Sequence, residues 1–307
     1  MSDQEFWRIE GEEVEEIDSQ EEFYDRLSQL PNCQDRVIKN LIYKPRKLTW
    51  SDRVRTIKNV TFSSVSFSNT KIRSVRFYDC SFDKCLFIGA TFDSCNFQRC
   101  KFSSTNTYRI KIKDTYIDPK SFAHCLKKEC HQNIGVHLYQ KLLKNSRDED
   151  QIEFQRDAQF LFLRWKRYRI QWEISFLPWA RKKRQWKGTK SAWVRGVLDY
   201  LARCFWEMFL GYGVRFRYLL FWSTITVLSF WNINFWFHSA LGLELMPDTS
   251  NKYVAALYYT LVSLTTLGYG DIVPTTTLGQ LLAGFQSVVG FFLFATLASM
   301  LFRRMTS

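Results

Sequence analysis

The chain has 307 residues, room for about two domains, and its formal net charge of +13 is unevenly spread. From Tyr218 to Phe302 the only charged residues are Glu244, Asp248, Lys252 and Asp271, which excludes a uniformly soluble globular protein. Residues 1–30 carry eleven Asp/Glu against Arg8 and Arg26 and contain no apolar core. No secretory signal is therefore expected there, and the N-terminal portion is expected to be cytoplasmic with reduced thiols.

In chain order, residues 1–54 read as an acidic segment leading into the cap of the next domain. The acidic residues themselves read as a solvated tail, with docking on the basic block at 160–217 as the alternative. A five-residue period follows. Large residues stand at Ile57, Phe62, Phe67, Ile72, Phe77, Phe82, Phe87, Phe92, Phe97 and Phe102, and after a weak Thr107 at Ile112, Ile117 and Phe122. Neither a helix nor a flat strand has this period, so it implies a stacked repeat. Two residues before each large position runs a small or β-branched column: Val60, Val65, Thr70, Val75, Cys80, Cys85, Ala90, Cys95, Cys100, Thr105, Ile110 and Thr115. Four cysteines fall in it at spacings of five, ten and five, all multiples of the repeat, whereas zinc ligands come as tight pairs. Core packing is the expectation, with no cysteine metal site.

The double column over residues 55–122 resembles the pentapeptide-repeat family. That resemblance implies a right-handed β-solenoid with four faces per coil and both columns pointing inward. The Asn/Asp that the family often carries just before the large residue is mostly absent here. The exposed faces hold twelve Lys/Arg against five Asp, which argues against the DNA-mimic role of some members.

Residues 123–175 read as a helical hairpin: one helix over 123–145, a turn at Asn145–Asp150, and a second helix over 151–174. His124, His131 and His137 read as ordinary helix positions. The segment 176–214 reads as a basic linker with an interfacial helix. Ser191 is its expected N-cap, and Val194, Val197, Leu198, Leu201, Phe205, Met208 and Phe209 form one apolar stripe. Residues 160–217 carry fourteen Lys/Arg against three acidic residues. A cationic belt beside an apolar segment points to anionic lipid rather than nucleic acid.

Residues 215–307 contain two apolar runs, Tyr218–Phe237 and Leu278–Phe302, each long enough to cross a membrane. Two spans place both termini on one side, and the lysine and arginine bias makes that side cytoplasmic. Between them lies an apolar segment, 253–265, too short to span, followed by Thr266-Leu267-Gly268-Tyr269-Gly270-Asp271. This matches the selectivity filter of potassium channels, and residues 215–304 resemble the bacterial two-span members. The resemblance implies a helical pore domain of outer helix, pore helix, filter and inner helix, assembled as a homotetramer in the cell membrane. Carbonyls of Thr266, Leu267, Gly268 and Tyr269 and the Thr266 hydroxyl would replace the water around K⁺, with Gly268 and Gly270 giving the left-handed conformations needed. Thr265, Tyr258, Tyr259 and Asp271 would support the filter, and Gly290 would be the gating hinge. Val262 stands where some members have a glutamate that pairs with the filter aspartate, so Tyr259 is expected to partner Asp271 instead. The whole reads as a mixed fold with no enzymatic reaction and no cofactor besides permeant K⁺. Neither the gating stimulus nor a cytoplasmic ligand or protein partner is named by the sequence.

Overall fold

The computed structural model describes residues 6–9, 14–29, 36–49, 56–174, 190–213, 216–245 and 251–305. They fall into two compact units, residues 1–203 and 204–307.

The first unit is a β-solenoid of three parallel sheets. One holds β1 (Glu15–Ile17), β2 (Arg36–Tyr43), β5 (Val60–Ser66), β8 (Ser81–Asp83) and β11 (Lys101–Ser103). The second is ordered β13 (Tyr116–Ile117), β10 (Asn96–Gln98), β7 (Arg76–Tyr78), β4 (Thr56–Lys58). The third is ordered β12 (Lys111–Lys113), β9 (Thr91–Asp93), β6 (Lys71–Arg73), β3 (Lys47–Thr49). A fourth face is made only of the bridges Ser66–Leu86 and Leu86–Asn106. Register is set by the aromatics: Phe62 lies opposite Phe82, and Phe82 opposite Phe102, twenty residues on. Their rings stack at 5.0 and 4.8 Å, within the range of favourable offset stacking. All the large residues of the column are buried except Ile112, which is half-buried, and every member of the small column is buried.

The turns between faces follow a rule of their own. Asn59, Ser64, Asn69, Ser74, Asp79, Lys84, Gly89, Ser94, Arg99, Ser104, Arg109 and Asp114 all have φ between 48° and 67°. Each immediately precedes a small-column residue, so the chain turns each corner through a left-handed residue. Asn, Asp and Gly tolerate that conformation best, and the three basic corners carry its cost on exposed side chains.

The cysteines serve the core in two ways. Besides filling volume, each thiol in the column has two carbonyls in reach, one two residues back and one a coil back. The latter is the nearer for Cys85, to Phe62 O at 3.3 Å, and for Cys95, to Ile72 O at 3.3 Å. The Thr105 hydroxyl likewise lies between Ser103 O at 3.0 Å and Phe82 O at 3.1 Å. Burial pushes the Cys85 thiol up to about 12. An alkylating reagent at pH 8 is therefore expected to label exposed Cys130 in the native protein and to reach Cys80, Cys85, Cys95, Cys100 and Cys125 only after denaturation. Peptide mapping before and after denaturant checks this.

Both ends of the stack are closed. At the N-terminal end, α1 (Gln20–Ser28), capped by Ser19, buries Phe23, Tyr24 and Leu27, with Phe23 edge-on to Phe67 at 5.8 Å. The acidic segment is thus not simply a solvated tail. Glu15 pairs with Arg26, and Lys44 with Glu16 and Asp18. Phe6 is buried on His131 at 3.7 Å, and its carbonyl accepts from Asn106 Nδ2 at 2.9 Å.

At the C-terminal end Phe122, on a 3-10 turn (Pro119–Phe122), stacks on Phe102 at 4.2 Å. The expected helix over 123–145 begins later, as α2 (Gln132–Asp148), because Cys125 continues the small column and donates to Thr105 O at 2.9 Å. Asn145, expected in the turn, lies inside α2. There it pairs with the Thr115 backbone in both directions, accepting at 3.1 Å and donating at 2.6 Å, which satisfies a terminal rung. α3 (Ile152–Ile174) completes the hairpin. The basic stretch 178–189 lies outside the described residues. α4 (Lys190–Leu210) contains the unit boundary and already includes Ser191 in its first turn, so Ser191 is not its N-cap.

Candidate ion-conduction site

The second unit places three helices around one short segment. α5 (Phe216–Trp236) is followed by the single helical turn α6 (His238–Leu241), then α7 (Lys252–Leu264) and α8 (Thr277–Met305). Among the described residues one helix is both long and apolar enough to cross a membrane, Thr277–Phe302 within α8. α5 has the length, 21 residues or ~32 Å, and carries Ser, Thr and Asn residues among its apolar ones. Asn251 caps α7 by accepting from Tyr253 N at 3.1 Å.

α7 ends in a Schellman motif. Leu267 N donates to Val262 O at 3.1 Å and Thr266 N to Ser263 O at 3.2 Å, with Thr266 at φ 56°. That position normally belongs to glycine, and a β-branched residue there is strained. Gly268 and Gly270 follow at φ 58° and 77°, so left-handed residues alternate through 266, 268 and 270. A file of cation sites needs successive carbonyls on one axis, and alternating left-handed residues are the backbone device that permits it. The Thr266 hydroxyl donates to Thr265 O at 2.7 Å, which leaves its oxygen as an acceptor only. Thr265 in turn donates to Leu261 O at 2.7 Å. Within one chain this segment is uncovered. Leu267 and Tyr269 are 60% and 68% exposed, and a Cβ at Gly268 or Gly270 would meet nothing within 4 Å.

The far side of the segment is tied down. Pro274 bridges Leu243, Thr275 N donates to Gly242 O at 3.1 Å, and the Thr276 hydroxyl donates to Ala240 O at 3.1 Å. Asp271 departs from the expectation: Tyr258 is the tyrosine whose hydroxyl acts on its carboxylate, which also accepts from Ile272 N at 3.0 Å, while Tyr259 is buried. Adjacent residues on a helix point about 100° apart, so only one of the two tyrosines can face the aspartate.

Gly290 lies where α8 touches the end of α7. A Cβ there would stand 1.8 Å from Leu264 O and 2.6 Å from its carbonyl carbon. Glycine is thus required by close approach of two backbones, and α8 runs helical through it. Three polar residues are not distinguished by the sequence from the other uncharged polar residues of the same helices: Asn234, Thr260 and Gln286. All three are buried and meet one another.

Comparison with known proteins fits these two structures. Residues 72–106 match the model of the pentapeptide-repeat family in eight copies, and residues 217–307 match that of an ion-channel family. The chain is also 41% identical over 51 residues to the voltage-gated delayed rectifier potassium channel KCNH5 of Homo sapiens, and equally to those of Mus musculus and Rattus norvegicus. The matched segment is 17% of this chain and 5% of the relatives' length. Neither matched family is an enzyme family. The chain therefore joins a pentapeptide-repeat β-solenoid to a C-terminal ion-channel domain.

Proposed function

We propose that the chain is one subunit of a homotetrameric, potassium-selective channel that conducts K⁺ passively. The left-handed alternation at Thr266, Gly268 and Gly270, in a segment uncovered within one chain, carries this reading. Four copies around an axis would cover the segment and supply rings of oxygen from Thr266, Leu267, Gly268 and Tyr269. Tyr258 and Thr265 support it, the first on Asp271 and the second on the end of the pore helix α7.

The channel domain sits in the cell membrane with both termini in the cytoplasm, as the lysine and arginine bias favours. α4 lies in the interface on anionic lipid, a reading supported by its apolar stripe, in which Val194, Leu198, Leu201, Phe205 and Met208 are exposed. The solenoid module biases opening in response to a cytoplasmic signal.

Full-length protein in liposomes, with K⁺ and Na⁺ flux measured separately and barium added as blocker, tests the function. K⁺ flux well above Na⁺ flux and blocked by barium is expected. Equal fluxes would make the chain a nonselective cation channel, and no flux would make it a membrane-anchored scaffold.

A further inference from the structure

At the centre of the channel unit one polar residue from each of three helices converges on a single point. Asn234 of α5 is 1% exposed, and Thr260 of α7 and Gln286 of α8 are 0% exposed. Asn234 Nδ2 donates to the Thr260 hydroxyl at 2.8 Å and, more weakly, to Gln286 Oε1 at 3.4 Å. Gln286 Nε2 donates to the Thr260 carbonyl at 3.2 Å, and the Thr260 hydroxyl donates to Ala256 O at 2.7 Å.

Stability does not explain this cluster. Leucine or valine would fill the same space without desolvation cost, and Asn234 Oδ1 is buried with no hydrogen-bond partner among the described residues. What a directional hydrogen bond adds over apolar contact is register, and register is at stake at this point. Thr260 lies one helical turn before Leu264, the last residue of α7, after which the filter segment begins. The same edge of α8 continues the seam, with the Ser287 hydroxyl shared between Ala283 O at 3.0 Å and Ser263 O at 3.2 Å, and Gly290 against Leu264. Position along α7 is thus fixed from α8 at three successive levels, and from α5 at the first of them.

We propose that Asn234, Thr260 and Gln286 are positioning residues that fix the axial placement of the pore helix and thereby the spacing of the filter oxygens. The inference rests on the potassium-channel reading. Discrimination between K⁺ and Na⁺ depends on how many carbonyls surround the ion and how firmly they are held. A helix free to slide loosens every ring at once. None of the three residues touches the ion.

The test is the Na⁺/K⁺ permeability ratio from reversal potentials of full-length channels in planar bilayers, with assembly checked on the same samples. Thr260→Val keeps the shape and removes the hydroxyl, and Gln286→Leu removes the clasp on the Thr260 carbonyl. Each is expected to raise the ratio about ten-fold, the scale of one buried hydrogen bond. Thr260→Ser is expected to keep the wild-type ratio, which a role in packing alone would not predict. Asn234→Ala leaves the Gln286 bond intact and is expected to raise the ratio about three-fold. It serves as the readout should Thr260→Val not assemble. Assembled Gln286→Leu and Asn234→Ala channels with the wild-type ratio would overturn the proposal while leaving the channel reading intact. A wild type that does not discriminate K⁺ from Na⁺ would overturn both.

Discussion

Gly290→Ala is expected to cut K⁺ flux at least about ten-fold and to degrade selectivity in the channels that still open, whereas Gly284→Ala, six residues earlier on the same helix, leaves both near wild type. The contrast comes from what each new methyl group meets. Within one chain a methyl at Gly284 meets nothing within 4 Å, while at Gly290 it would sit 1.8 Å from a backbone oxygen of the same chain. A flexible side chain could rotate away, but the Leu264 carbonyl is part of the last turn of α7, and relief requires one helix to move by an ångström or more. That motion is delivered to Thr265 and Thr266, where the strained left-handed threonine already sits.

A hinge role for Gly290 predicts a different result. If the glycine matters only because α8 bends there, alanine should change how often the channel opens and leave the selectivity of open channels intact. Reversal potentials of single open channels separate the two readings. Altered selectivity assigns the glycine to close packing, and unaltered selectivity with altered opening assigns it to bending.

Much of this was legible from residue order alone, and the exceptions have physical reasons. A five-residue period fixes which side chains point inward but not which residue turns the corner. That residue has no type in common: Asn59, Asp79 and Gly89 suit a left-handed backbone, yet Ser64, Lys84, Arg99 and Arg109 occupy it too. The start of α2 is not legible because apolar residues at three- and four-residue steps cannot be told from the last rung of a solenoid, where Cys125 belongs. The left-handed turns of the 266–271 segment at Gly268 and Gly270 were legible because glycine carries backbone information directly. Thr266 was not read as strained, since a left-handed threonine is set by the helix end it caps and leaves no mark on residue type. The Asn234–Thr260–Gln286 cluster was invisible for a related reason: its members are 26 residues apart along the chain, and only the packing of three helices makes them neighbours.

Phe82→Ala is expected to be the most damaging single change in the solenoid, costing about 3–5 kcal/mol. Phe82 lies between two parallel rings, 5.0 Å from Phe62 and 4.8 Å from Phe102, with Phe77 and Phe87 edge-on at 5.6 and 5.7 Å. In a stack of this kind each coil is stabilised only by its neighbours, so a cavity at a middle rung weakens the coupling on both sides. Hydrogen exchange on the full-length protein should show protection lost along β5, β8 and β11 together.

The small column gives the complementary test. Cys85→Ala removes one sulfur and one weak hydrogen bond and should cost about 1 kcal/mol. Cys85→Leu overfills a site that is fully buried beside Phe62 and should cost about 1–3 kcal/mol, more than the alanine. Denaturation midpoints of the three variants should therefore fall in the order Cys85→Ala, Cys85→Leu, Phe82→Ala. If leucine at 85 were tolerated better than alanine, the thiol would not be filling a site cut to its own size, and the small column would need another explanation.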